Sequence, residues 1–238
     1  MNNFGRNLPV VFTVFTAVLI TMEALGIDGD VISYSRYAVM LILCISVYVG
    51  RGSSLEQRRL FWAFPFMVVG DFFLVYSYTL DGFPQIMRYF GFIPFSIAYI
   101  IITRVYLEGF KWNINSILVA IIYGLSILGL GSKIYPLING IEIVLGTIVA
   151  LTVTIMAWAG ASALWNGVYN RRVAAMMAIS GMLMVVCDYG VALDLFYPEF
   201  YQIREELVLN LVWLTYIPGW VILALVVVDR DIKGRVYG

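Results

Sequence analysis

Long apolar runs separated by short polar stretches organise the whole chain. The runs cover 8–26, 31–50, 58–79, 86–107, 114–131, 137–165, 172–195 and 206–228. Most are close to the roughly 20 apolar residues that cross a bilayer as a helix. Between them lie GIDGD, GRGSSLEQRR, TLDGFPQ, EGFKWN, GSKIYP, NGVYNRR and FYPEFYQIREE. The pattern predicts an all-α polytopic membrane bundle of eight transmembrane helices, with residues 1–238 forming a single transmembrane domain. The short third and fourth breaks predict antiparallel neighbours, while GLGSKIYP reads either as a loop or as a kink. The first run, from Leu8 to Gly26, is as long as a span and lacks a small-residue cleavage site. It reads as a retained helix rather than a signal peptide.

Basic residues fix the expected orientation, because cytoplasmic connections collect Lys and Arg. One side gathers Arg6, Arg51, Arg58, Arg59, Arg104, Lys111, Arg171, Arg172, Arg230, Lys233 and Arg235; the other has Arg36, Arg88, Lys133 and Arg204. Eleven against four places both termini in the cytoplasm, as an even number of spans requires. Helices 3 and 7 then both run outward, and each contains nearly the same pentapeptide: MVVGD at 67–71 and MVVCD at 184–188. The helices that follow carry FIPF at 92–95 and YIPG at 216–219. These echoes predict a parallel 4+4 repeat, with halves 1–112 and 113–238.

Composition agrees with the membrane reading and removes several chemistries. Of 238 residues, 62% are hydrophobic and 13% charged, against about 25% charged in ordinary soluble domains. Net charge is zero with no basic block, so nucleic acid is not an expected partner. Cys44 and Cys187 lie within apolar runs and make no disulfide framework. Histidine is absent, which excludes His-ligated haem, the usual zinc sites and a Ser-His-Asp triad. The three lysines, Lys111, Lys133 and Lys233, sit in or beside polar connections, so no lysine is placed for a retinal Schiff base. No metal and no cofactor is expected.

Asp71 and Asp188 are the leading catalytic candidates. An aspartate at membrane depth costs about 2.5–3.5 kcal/mol on insertion scales and therefore turns inward to a use. At about 1.5 Å per residue, both lie roughly 20–24 Å from the cytoplasmic edge, in the outer half of the core. Two carboxyls sharing a cavity of low dielectric separate in proton affinity, giving an acid and a base. The structural alternative is that each bonds a hydroxyl on another helix and only fixes packing. Tyr76, Tyr78, Tyr99, Trp213 and Tyr216 are the available donors near that depth. Glu23, Glu142 and Asp194 fall in the same half of the membrane, as members of an acidic cavity or as carboxylates at the headgroup boundary. Arg36 and Arg88 are candidates for a lipid phosphate, or arginines reaching the interface from helix ends. Trp62, Trp112, Trp165 and Tyr169 read as an interfacial aromatic belt. Pro94 and Pro218 are expected to break helices 4 and 8 beside the aspartates, and Gly181 and Gly190 to let other helices approach Asp188.

The stretches GDFFL and GFIPFSIAYI, followed later by GMLMVVCDYGVAL and LVWLTYIPGWVILAL, resemble the paired-helix signature of the YhhN-like, or lysoplasmalogenase, family of integral membrane proteins. The resemblance covers residues 30 to 228. It implies an eight-helix bundle that hydrolyses the vinyl ether bond of lysoplasmalogens, with the family's intramembrane aspartates falling on Asp71 and Asp188. Two positions depart from the family pattern. Ser96 stands where a histidine is frequent in the fourth helix, and Ser35-Arg36 where a Lys-Pro pair opens the second. Tyr99 and Tyr216, with Arg36, Arg88, Ser96, Glu23 and Glu142, make up the expected substrate-binding set, and the expected partner is a membrane lipid or lysolipid. Two other readings stay open: a proton-coupled small-molecule transporter, and a lipid- or pigment-binding membrane protein without catalysis.

Overall fold

The computed structural model describes residues 3–229, 232 and 233; within its helices, the side chains of residues 3, 4, 6, 78, 85 and 198–210 lie outside that description. Arg230 and Arg235 are therefore outside the described residues, as are the side chains of Arg6, Tyr78 and Arg204. Among the described residues ten α-helices follow one another: α1 Asn3–Ala24, α2 Gly29–Gly50, α3 Leu55–Phe61, α4 Ala63–Leu74, α5 Gln85–Tyr89, α6 Phe92–Tyr106, α7 Ile114–Ile134, α8 Gly140–Asn166, α9 Arg171–Phe196 and α10 Pro198–Val228. Short 3-10 turns, Tyr76–Thr79 and Tyr135–Leu137, follow α4 and α7. Among the described residues, seven segments are long and apolar enough to cross a membrane. One further crossing, third in chain order, is the apolar run 58–79, which α3 and α4 share, so the bundle is polytopic and all-α.

The third crossing is broken because of Pro65. Without an amide N–H, Pro65 cannot bond the Phe61 carbonyl, and its ring crowds that oxygen. The chain therefore ends α3 at Phe61, with the Trp62 N–H turning back to Arg59 and Leu60, and restarts at Ala63. Pro94 differs from its expected place in the middle of a helix. It lies in the first turn of α6, after a break at Phe90–Gly91, where a missing N–H costs nothing. Pro218 does lie inside α10. Most of the GLGSKIYP stretch is helical, since α7 runs to Ile134; the connection falls later, at 135–139, and Gly140 starts α8 at φ 55°.

The core is built mainly where α9 packs between α8 and α10. Small residues permit the approach: a Cβ at Gly181 would fall 2.8 Å from Ala157 Cα on α8, and one at Gly190 2.8 Å from a Val212 methyl on α10. By contrast α7 is largely exposed, with Ile121, Ile122, Leu125 and Leu128 facing outward. This is the expected pattern for a helix bathed by lipid, where apolar side chains need no protein partner. Its start is held by Trp158, whose Nε1–H donates to the Ser116 carbonyl at 2.8 Å.

At one end of the bundle the last described residues tie three connections together. Gly52 N–H donates to the Val227 carbonyl, the Gln57 side-chain amide to that of Asp229, and Asn170 N–H to that of Ile232. Tyr169, expected in the interfacial belt, is buried instead and donates its hydroxyl to the Val105 carbonyl. Trp62, Trp112 and Trp165 are exposed. Lys233 pairs with Glu56 at 2.7 Å and Glu108 at 3.4 Å. Burial alone would raise the Glu56 carboxyl, but hydrogen bonds from Lys233, its own backbone N–H and Ser54 outweigh it and hold the group at about 2.

Candidate active site

Asp71 belongs to the last turn of α4, and Asp188 lies in the second half of α9. Both line one cavity of about 880 Å³, toward the upper end of the ~300–1,000 Å³ usual for ligand pockets. Among the described residues, each carboxylate is held on one oxygen. Tyr216 Oη on α10 donates to Asp71 Oδ1 at 2.7 Å, and Tyr99 Oη on α6 donates to Asp188 Oδ1 at 3.1 Å. In each aspartate Oδ2 is buried and has no hydrogen-bond partner among the described residues. A buried carboxylate oxygen left open costs free energy, and here both open oxygens belong to residues of the same cavity wall.

The holding pattern is crossed. The aspartate of the third crossing takes its tyrosine from the eighth, and the aspartate of the seventh takes its tyrosine from the fourth. Phe95 sits between the tyrosines, its ring centroid 6.2 Å from Tyr99 and 6.3 Å from Tyr216. Phe95 also accounts for the one letter that separates MVVGD from MVVCD. A Cβ at Gly70 would fall 2.5 Å from two carbons of the Phe95 ring, so α4 reaches this distance only as glycine. The tyrosines are not matched by the FIPF/YIPG echo: Tyr216 precedes Pro218 by two residues, whereas Tyr99 follows Pro94 by five.

Arg36 enters the cavity wall from α2 with Asp30 and Ser33. Its guanidinium pairs with Glu23 at 2.8 Å and lies 4.4 Å from the Trp213 ring centroid. That contact makes Trp213 a cation–π platform, one turn before Tyr216 on α10. Arg36 Nε, buried, bonds no described group. Glu23 is thus engaged as the partner of Arg36 and is not part of the cavity lining. Glu142 lies in the first turn of α8 and Arg88 in the last turn of α5, neither of them in the lining. Ser96 is buried, donates to the Phe92 carbonyl at 2.8 Å, and faces a second, smaller cavity of about 220 Å³. Of the sequence-derived set, Asp71, Asp188, Arg36 and Tyr216 share the main cavity wall, and Tyr99 joins them through Asp188.

Asp30 and Ser33, not among the sequence-derived candidates, also line the cavity, as does Asp194, for which an acidic cavity and the headgroup boundary were both open. The first two were within reach, since Asp30, Ser33 and Arg36 recur every third residue along one helix face. Among the described residues, no three His, Cys, Asp or Glu side chains gather as metal ligands.

The YhhN family profile matches residues 31–227. The chain belongs to the YhhN family. That family includes lysoplasmalogenases. The match takes in both aspartates, both tyrosines and the Arg36–Trp213 contact, leaving outside it only α1, the start of α2 and the final residues. No curated protein and no solved structure matches the chain.

Proposed function

We propose that this YhhN protein is a membrane hydrolase that cleaves the vinyl ether bond of lysoplasmalogen-type lysolipids, with Asp71 and Asp188 as its acid–base pair. The observation that carries the reading is the shared cavity, in which two carboxylates from distant parts of the chain each keep one oxygen bound and one open.

The chemistry asks for two carboxyls and water. One carboxyl gives its proton to the vinyl carbon remote from oxygen, and the double-bond electrons form the new C–H bond. The resulting oxocarbenium ion takes up water, whose proton passes to the second carboxylate. The hemiacetal then breaks its C–O bond, with its hydroxyl proton transferred to the departing glycerol oxygen. One water is consumed, a fatty aldehyde and a glycerophospho head group leave, and the pair again holds one proton. The logic parallels glycoside hydrolysis, where two carboxyls flank a similar cation. No metal or organic cofactor is required.

Arg36 is the head-group anchor in this reading, because an anionic phosphate suits a guanidinium with an open N–H. Orientation follows the charge count, with both termini cytoplasmic and the cavity in the outer half of the membrane. We also read the halves 1–112 and 113–238 as a parallel repeat, on the strength of the matching pentapeptides and their common cavity.

The deciding experiment is aldehyde release from a lysoplasmalogen by the purified protein in detergent, without any gradient. Turnover supports the hydrolase. Silence in detergent together with substrate uptake in sealed vesicles would replace it with a carrier.

A further inference from the structure

The cavity has two unlike sides. Toward α2 it is polar, with Asp30, Ser33 and Arg36; α2 packs against α1, α4 and α10. Away from α2 it extends between α7, α8 and α9, where Ile127, Leu130, Ile134, Val149 and Leu195 line it. Phe92, Ile134, Leu145 and Phe196 close that side as a separate apolar cluster. Besides Asp188, polar groups do occur in the lining contributed by α8 and α9, namely Thr147, Tyr189 and Asp194; the Tyr189 hydroxyl is bonded to Ser126 at 2.9 Å. The aspartates lie between the two sides, on α4 and α9.

Two glycines make the room in the apolar arm. Gly131 on α7 and Gly146 on α8 both line the cavity, and a Cβ built on either meets nothing within 4 Å. Neither is needed for close helix packing, unlike Gly181 or Gly190. Neither has a positive φ, and a helical glycine costs about 1 kcal/mol relative to alanine. What their missing side chains provide is volume. The arm also reaches the outside of the bundle, since Leu151, 47% exposed, and Tyr135, 62% exposed, are among its lining residues.

We propose that the arm between α7, α8 and α9 holds one unbranched hydrocarbon tail of a single-chain lipid, and that Gly131 and Gly146 set the tail length it accepts. This rests on the hydrolase reading for its substrate class. One arm is apolar and the other side polar, so the cavity suits an amphiphile with a single tail. A tail that moves from bilayer into this arm exchanges one apolar surrounding for another. Length is therefore selected by what fits.

The test uses the purified full-length protein and 1-O-alkyl lysophosphatidylethanolamine probes with a photoreactive diazirine at the tail end. A saturated ether has no double bond to protonate and stays intact. The hexadecyl probe is expected to label α7, α8 and α9 at the arm. In Gly131→Leu and Gly146→Leu that labelling should fall about tenfold, the usual scale of overfilling an apolar site, while octyl labelling stays. Hexadecyl labelling confined to α1 or the outer face of α2 overturns the proposal, as does an unchanged length preference in the folded variants. If a variant does not fold, the position of the wild-type label decides alone. Labelling in the arm with no aldehyde release from a vinyl ether lysolipid keeps the tail site and removes the hydrolase reading. Aldehyde release with labelling elsewhere does the reverse.

Discussion

Tyr216 donates its hydroxyl to Asp71 at 2.7 Å across 145 residues of sequence. Phenylalanine at 216 keeps the ring against Phe95, Trp213 and Trp220 and removes only the donor. A hydrogen bond to a charged group is worth about 1.5–3 kcal/mol, so Tyr216→Phe should lower aldehyde release about tenfold or more. It should also move one limb of the pH–rate profile. A profile of unchanged shape would reduce Tyr216 to packing.

Asp71→Asn and Asp188→Asn preserve shape and abolish proton transfer. Acid–base groups typically contribute about 10²–10⁴-fold, so each variant should lose at least a hundredfold in kcat. Thermal melting in detergent should stay near that of the parent. Wild-type turnover by both variants would defeat the acid–base assignment.

Arg36→Gln removes the charge that meets Glu23 and covers Trp213. As a head-group anchor, Arg36 should act mostly on KM, raising it about tenfold, and a lysolipid lacking phosphate should be insensitive to the change. Equal losses for phosphate-bearing and phosphate-free substrates would show the arginine to be structural.

Ser96→Ala should change turnover by less than about twofold, because its hydroxyl serves the Phe92 carbonyl and faces the smaller cavity. A large kinetic loss with unchanged melting would bring Ser96 into the site.

Glu56 supplies a prediction about pH. Its folded carboxyl sits at about 2, below the ordinary 4.5. The unfolded state therefore binds the extra proton first, and the stabilisation is present above about 4.5 and lost as pH falls toward about 2. Lys233, raised by its hydrogen bond with Glu56, stabilises the same tie below its ordinary value and loses that contribution as pH rises through the raised one. Protection of the Asn170 amide, whose N–H meets Ile232, measured as exchange relative to the intrinsic rate at each pH, should fall on acidification over that window. Lys233→Ala should flatten the response, and an identical acid response in that variant would refute the tie.

The eight crossings were legible because each is a hydrophobic run of membrane length, a signal that no tertiary contact needs to supply. The split of the third was legible too, in Pro65, but a hydropathy pattern averages over a single residue. Asp71 and Asp188 stood out because charge is costly in hydrocarbon. Their partners did not: whether Tyr76, Tyr99 or Tyr216 meets a carboxylate depends on helix neighbours and rotation, and sequence spacing fixes neither. The Arg36–Glu23 pair lies between these cases, since the short turn between α1 and α2 brings the two residues to adjacent helix ends. The apolar arm was illegible, because an empty volume is defined by side chains that are not there.

The crossed tyrosines have a consequence for any attempt to divide the protein. A chain severed in the exposed link near Trp112 would yield two four-crossing fragments, each with an aspartate whose hydroxyl partner has gone with the other. Neither fragment carries a finished pocket, so complementation, with both pieces made in one membrane and reassembling there, is the only route by which a split gene keeps its phenotype.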